Sequence, residues 1–152
     1  MTLSIGDVAP DFELVADDGN PISLSSLRGQ RVVLYFYPKD NTSGCTTQAC
    51  GFRDLHEQLE ANNAVVIGVS RDSTKRHVGF KAKHALPFTL LTDADHAIHD
   101  AYGAWGEKKM YGKTVQGVLR TTVVIDESGV ITDISHKVRA KGDSERVLGL
   151  LA

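Results

Sequence analysis

The sequence is poor in several things, and each shortage narrows the reading. It has two cysteines in 152 residues, too few for a disulfide scaffold, and a chain of this length builds a core without one. No apolar run approaches the ~20 residues that a membrane-spanning helix needs. Neither sign of charge dominates: 17 Lys and Arg stand against 19 Asp and Glu, a net charge of −2. That excludes the strongly basic surface expected for nucleic acid or an anionic membrane. The densest basic cluster, Lys81 to His84, sits in a helical pattern and reads as a solvated face. No repeat, low-complexity tract or Pro/Gly/Ser linker divides the chain, so residues 1–152 are expected to form one domain. The opening "MTLSIGDVAPDFEL" has neither a basic n-region nor an apolar h-region, so no secretory signal is read there. The expected location is the cytoplasm. In a reducing compartment, a close pair of cysteines points to catalysis, redox activity or metal binding rather than a static staple.

What is present is an alternation of strand and helix patterns. "FELVADDGNPISL" reads as an N-terminal β-hairpin around an Asp-Gly-Asn-Pro turn, and "SLSSLRG" as a short helical turn ended by Gly29. "RVVLYFY" is β-branched and aromatic without polar alternation, the pattern of a central strand covered on both faces, and Pro38 stops it. From Cys45 to Asn62 the apolar residues Cys45, Ala49, Phe52, Leu55 and Leu59 fall on one helical stripe. "AVVIGVS" is a second buried strand. The helix after it is capped by Asp72 or Ser73 and ends before Pro87. "FTLLTD" gives a third strand and "ADHAIHDAYGA" a short helix. "GAWGEKKMYGKTVQGV" is expected to be a long glycine-punctuated loop. "RTTVVIDESGVITDISHKV" is a hairpin turning at Glu127-Ser128-Gly129, and "DSERVLGLLA" a closing helix. The order is α/β. A βαβ crossover followed by a ββα ending is the thioredoxin-like arrangement: a central mixed β-sheet flanked by helices.

Both cysteines lie in "YFYPKDNTSGCTTQAC", where a strand gives way to a helix. Cys45 falls at the helix start, among unpaired N–H groups and the positive end of the helix dipole, and both favour thiolate over thiol. Gly44 permits close backbone approach, Pro38 fixes the entry of the loop, and Thr42 places a hydroxyl three residues from the sulfur. The competing reading, a small buried hydrophobe on the core stripe, suits an isolated cysteine better than one preceded by Pro, Thr and Gly at such a junction. Cys50 shares its helix face with Thr46, Arg53, Asp54 and Glu57, the polar side. With ~1.5 Å rise and a ~2.3 Å radius, two Cα atoms five positions apart in a helix are about 8.6 Å apart and roughly 140° around the axis. A disulfide needs about 7 Å or less. An intact helix therefore forbids a Cys45–Cys50 bond, and the first turns must unwind for the two to meet.

"YPKDNTSGCTTQAC" resembles the Pro-x-x-x-Thr-x-x-Cys pattern of the peroxiredoxins, met by Pro38, Thr42 and Cys45. The Cys-x-x-x-x-Cys spacing is similar to that of the Q-type peroxiredoxins, or bacterioferritin comigratory proteins. "GDVAPDFEL", "WGEKKMYGK" and "RTTVVID" resemble further segments of the family in the right order. The resemblance implies a thiol peroxidase acting on hydrogen peroxide and organic hydroperoxides. Cys45 would be the peroxidatic cysteine and Cys50 the resolving one, joined in an intramolecular redox disulfide that thioredoxin reduces. Pro38 would shield the thiolate and Thr42 would hydrogen-bond the peroxide. Arg120, a surface residue on sequence grounds alone, would stabilise the thiolate and polarise the peroxide. No metal, flavin or nucleotide is implied, and an intramolecular resolving cysteine leaves no chemical need for a dimer, so a monomer is expected. Two positions depart from the family: Ser43 stands where proline is usual, open to service as an extra N-cap, and Val123 replaces phenylalanine.

Rival readings remain open on the residues alone. A thioredoxin-type oxidoreductase would want Cys-x-x-Cys. A metal site from Cys45, Cys50 and His56 is one ligand short. His96 and His99, with Asp93 and Asp100 nearby, read more naturally as polar helix surface than as a weak metal site. A redox sensor or holdase would share the first oxidation step and differ in turnover. Trp105, Met110 and Tyr111 fit either an apolar wall over the site or the filling of a surface groove.

Overall fold

A computed structural model describes residues 3–151. Strands β1 (Glu13–Ala16) and β2 (Pro21–Ser23) form the expected N-terminal hairpin, followed by a 3-10 turn over Leu24–Leu27. The chain continues through β3 (Arg31–Phe36), α1 (Ser43–Asp54), α2 (His56–Ala61), β4 (Ala64–Ser70), α3 (Thr74–His84), β5 (Thr89–Thr92) and α4 (Ala97–Ala101). Then come β6 (Trp105–Met110), β7 (Lys113–Val118), β8 (Thr121–Ile125), β9 (Ile131–His136) and α5 (Asp143–Leu151).

The main sheet has seven strands in the order β2-β1-β5-β4-β3-β8-β9. β3 runs parallel to β4 and antiparallel to β8, and β4 runs parallel to β5, so the sheet is mixed, as the α/β order requires. β3 is its hub. Val32, Leu34 and Phe36 point to one face, where they pack with Leu24, Tyr102 and Val123. Val33, Tyr35 and Tyr37 point to the other, against Cys45, Ala49 and Phe52 of α1 and Val147 of α5. The unbroken apolar run of β3 is thus explained by cover on both faces. Among the described residues no helix is long and apolar enough to cross a membrane.

Two elements differ from the sequence expectation. The helical stripe after Cys45 is two helices, because Leu55 leaves the helical region (φ −102°, ψ 10°) and α2 turns away at that point. Leu59 of α2 still packs into the same core as Phe52, so one apolar stripe serves both pieces. The segment expected to be a long loop is a β-hairpin, β6 paired antiparallel with β7 in a sheet of its own. Its tip, Tyr111 and Gly112, has φ of 54° and 77°, two successive positive values that match the twist of a tight hairpin.

Candidate active site

β3 ends at Phe36, and the loop from Tyr37 to Thr42 turns the chain into α1. That loop is pinned from below. Tyr37 donates its hydroxyl to Asp40 Oδ1 at 2.5 Å, and His77 Nδ1 of α3 meets Asp40 Oδ2 at 2.7 Å, with all three residues buried. Burial raises the Tyr37 phenol well above its ordinary range, so it stays a hydrogen-bond donor. The Asp40 amide in turn donates to Asp72 at 2.8 Å. Asn41 takes a positive φ of 65° and aims the next residues into the helix.

Thr42 is the N-cap residue, in extended conformation. Its hydroxyl donates to Lys39 O at 2.8 Å, which leaves its lone pairs free to accept from a ligand. Ser43, expected to be open to a capping role, is instead the exposed first residue of α1, and no side-chain cap bond is made there. Cys45 sits in the first turn, buried, with its thiol free. Cys50 is half-buried on the same unbroken helix, also free, as the reach argument requires of the intact state.

Arg120, between β7 and β8, reaches the sulfur. Its Nη2 lies 3.5 Å from Cys45 Sγ and its Nη1 donates to Gln48 Oε1 at 2.6 Å. Gly44 makes room for it: a Cβ there would stand 3.3 Å from Nη2. Gln48 passes the contact on, since its Nε2 donates to Asp143 Oδ2 at 3.1 Å. The same carboxylate accepts from Thr122 Oγ1 at 2.7 Å and from Arg146 Nε and Nη2 at 3.1 and 3.0 Å. A buried polar chain therefore runs from the sulfur to the first residue of α5.

A cleft of about 660 Å³ opens beside Arg120, lined by Pro38, Lys108, Val118, Leu119 and Val138. A second cleft of about 480 Å³ shares Pro38, Lys108 and Val118 and is lined by Trp105 and Met110. Of the three residues weighed as an apolar wall, Tyr111 is not one: it is 97% exposed at the hairpin tip. Trp105 is a filler, stacked on His96 at 3.9 Å with Arg71 over its other face at 5.2 Å.

The histidines weighed as metal ligands are otherwise engaged. His99 is buried rather than surface, held to Asp93 at 2.6 Å, while His96 pairs with Asp100 at 2.8 Å and His56 with Glu60. Among the described residues, no three His, Cys, Asp or Glu side chains gather to hold a metal.

The structure thus brings Pro38, Thr42, Cys45 and Arg120 to one place and leaves Cys50 apart. Sequence reasoning passed over Gln48 and Asp143. Gln48 was findable, because position i+3 from Cys45 shares its helix face. Asp143 carried no local signal: it is 95 residues away in sequence.

A thiol at a helix start, an arginine on the sulfur and a cleft at both define a thioredoxin-fold thiol peroxidase. Residues 5–134 match the AhpC/TSA family, and the chain belongs to that family as a peroxiredoxin of the Q, or bacterioferritin comigratory protein, type. It is 48% identical to the putative peroxiredoxin bcp of Coxiella burnetii over 151 residues, 99% of this chain and 100% of that one. It is 49% identical to peroxiredoxin Bcp of Bacillus subtilis over 141 residues, 93% and 90% of the two chains. Among solved structures, the Xanthomonas campestris bacterioferritin comigratory protein, studied for its alkyl peroxide reduction activity, superposes with a TM-score of 0.89. The identity there is 36%, covering 98% of this chain and 95% of that one.

Proposed function

We propose that Cys45 reduces hydrogen peroxide and organic hydroperoxides, that Cys50 resolves the product, and that thioredoxin closes the cycle. The observation that carries the reading is the Arg120 guanidinium 3.5 Å from the sulfur of a cysteine in the first turn of a helix. The Cys45 thiolate attacks the distal oxygen of the hydroperoxide. A sulfur–oxygen bond forms, the O–O bond breaks, and the leaving oxygen takes a proton to depart as water or an alcohol. Arg120 and the helix N-terminus offset the negative charge that develops on the leaving oxygen. Thr42 accepts from the hydroperoxide O–H, and Pro38, at the mouth of both clefts, shields the thiolate. Cys45 is left as a sulfenic acid, the reversible first step of thiol oxidation.

Resolution needs motion. The first turns of α1 unwind, the Cys50 thiolate attacks the Cys45 sulfur, a disulfide forms and water leaves. A dithiol reductant then attacks the disulfide twice by exchange, ending oxidised itself and restoring both thiols. The thioredoxin partner, the monomeric state and the cytoplasmic location follow from the family pattern and from the intramolecular pairing.

A coupled assay with thioredoxin, thioredoxin reductase and NADPH tests this. Cys45→Ser is expected to consume no peroxide. Cys50→Ser is expected to react once and then to turn over only with added small thiols. Full thioredoxin-supported turnover by Cys45→Ser would overturn the assignment. A wild-type protein that stops near one equivalent of peroxide would be a sensor rather than a peroxidase.

A further inference from the structure

We propose that Asp143 is a positioning residue for the chemistry at Cys45, acting through the one orientation in which it holds the Gln48 amide. The inference deepens the peroxidase reading and rests on it only for its meaning in catalysis.

The argument is one of donors and acceptors. Gln48 is buried between two neighbours of opposite kind. Arg120 has donors alone and lies 2.6 Å from Oε1, so an oxygen must face it. Asp143 as a carboxylate has acceptors alone and lies 3.1 Å from Nε2, so the amide nitrogen must face that side. Both neighbours demand the same orientation. Turned over, Gln48 would set its N–H groups against the guanidinium, and Arg120 would have to leave the sulfur.

What fixes the amide is thus the charge state and acceptor character of Asp143. Its carboxylate is fully used: Oδ1 takes two bonds from Arg146, and Oδ2 takes one each from Gln48 and Thr122. Arg146 is itself anchored elsewhere, by Asp133 at 3.1 Å and Ser135 at 3.2 Å, so it does not yield easily. If Asp143 becomes an amide, its oxygen goes to the Arg146 fork and its NH2 group to Gln48 and Thr122. The Thr122 hydroxyl can rotate to accept. Gln48 can answer only by turning over, which places donor against donor at Arg120. Asp143→Asn is nearly isosteric, yet it should break a contact two residues away.

The same logic supplies a rescue. In D143N, a second change, Gln48→Glu, puts an acceptor-only group between the new amide and Arg120, satisfying both. Q48E alone should fail, because it sets two carboxylates against each other without a proton between them. Each single variant is impaired and the double is restored.

The experiment reads the sulfur directly in a Cys50→Ser background, so that Cys45 is the only thiol. Iodoacetamide alkylation is followed at pH 6 and at pH 10. D143N and Q48E are each expected to slow alkylation at pH 6 by about tenfold, the order of one charge-assisted hydrogen bond to a thiolate. At pH 10 each should match the parent, because the thiol is ionised regardless of Arg120. D143N/Q48E should return the pH 6 rate to within about threefold of the parent. Rates at pH 6 unchanged in both single variants overturn the proposal. So does a loss shared by both pH values, or one that the double variant does not repair, since either marks a structural role alone. No hydroperoxide enters this measurement, so its outcome stands apart from that of the coupled assay. Q48E alters nothing on α5, so one arm remains if D143N folds poorly.

Discussion

At the scale of single residues, the buried ion pairs set how the protein answers to pH. Asp93, at the end of β5, is buried, which by itself raises its pKa. The His99 ring and the backbone N–H groups of His99 and Ile98 outweigh that and hold it below its ordinary value of 3.8. The sign follows. A carboxylate that is more acidic folded than unfolded contributes stability above the unfolded value and loses it as pH falls toward the folded one. Asp93→Asn is therefore expected to lower stability at pH 7 by about 1–3 kcal/mol. It should also flatten the loss between roughly pH 4 and pH 2. Urea unfolding at pH 7, 4 and 2.5 checks both; a variant as pH-sensitive as wild type would refute the attribution. At this scale Cys45 and Thr42 were legible in the sequence because their signal is local. Arg120 was not, since nothing in "GVLRTT" marks it. Only the antiparallel pairing of β8 with β3 carries it to the start of α1.

At the scale of elements, the first turn of α1 has two tasks: it must hold Cys45 against Arg120 and then release it. Ser43 lies at the start of that turn. Thr42 before it is extended (φ −86°, ψ 156°), the conformation a following proline requires. Position 43 opens the helix, where a proline costs no intrahelical hydrogen bond. Ser43→Pro is expected to stabilise the reduced protein by about 0.4–1 kcal/mol through the unfolded chain. It should also slow disulfide closure after one equivalent of peroxide, because the turn opens less readily. Thermal melts and quenched-flow thiol counting measure the two effects, and faster closure would contradict the account. The main strands and the α3 and α5 helices could be read from periodicity. The β6–β7 hairpin could not: "WGEKKM" and "KTVQGV" do not alternate apolar with polar, since the hairpin packs little of itself into either core. The break at Leu55 escaped for the opposite reason. The apolar stripe is continuous across it, and periodicity registers faces rather than kinks.

At the scale of the whole molecule, charge is distributed unevenly. The net charge is −2, yet Lys108, Lys109, Lys137 and Arg120 surround the principal cleft, with Glu107 the one acid among its lining residues. A low-dielectric recess ringed by one sign concentrates the opposite sign. A hydroperoxide bearing a carboxylate should therefore react several-fold more slowly in ~0.5 M salt than in ~0.01 M. A neutral alkyl hydroperoxide should be indifferent to salt. Stopped-flow rates at the two ionic strengths decide it; equal salt dependence for both substrates would remove electrostatic steering from the account. Net charge read from sequence hides such a field, because it sums over the faces that folding separates.

The single tryptophan sits between His96 and Arg71 at the base of the β6–β7 hairpin, beside the smaller cleft. Its indole lies parallel to the imidazole, within 3°. A stacked cation quenches indole emission, so the intrinsic fluorescence of this protein is an optical gauge of one joint, with both aromatic cores silent. Brightening on oxidation would time the parting of the hairpin from its seat, in the native chain, without a label.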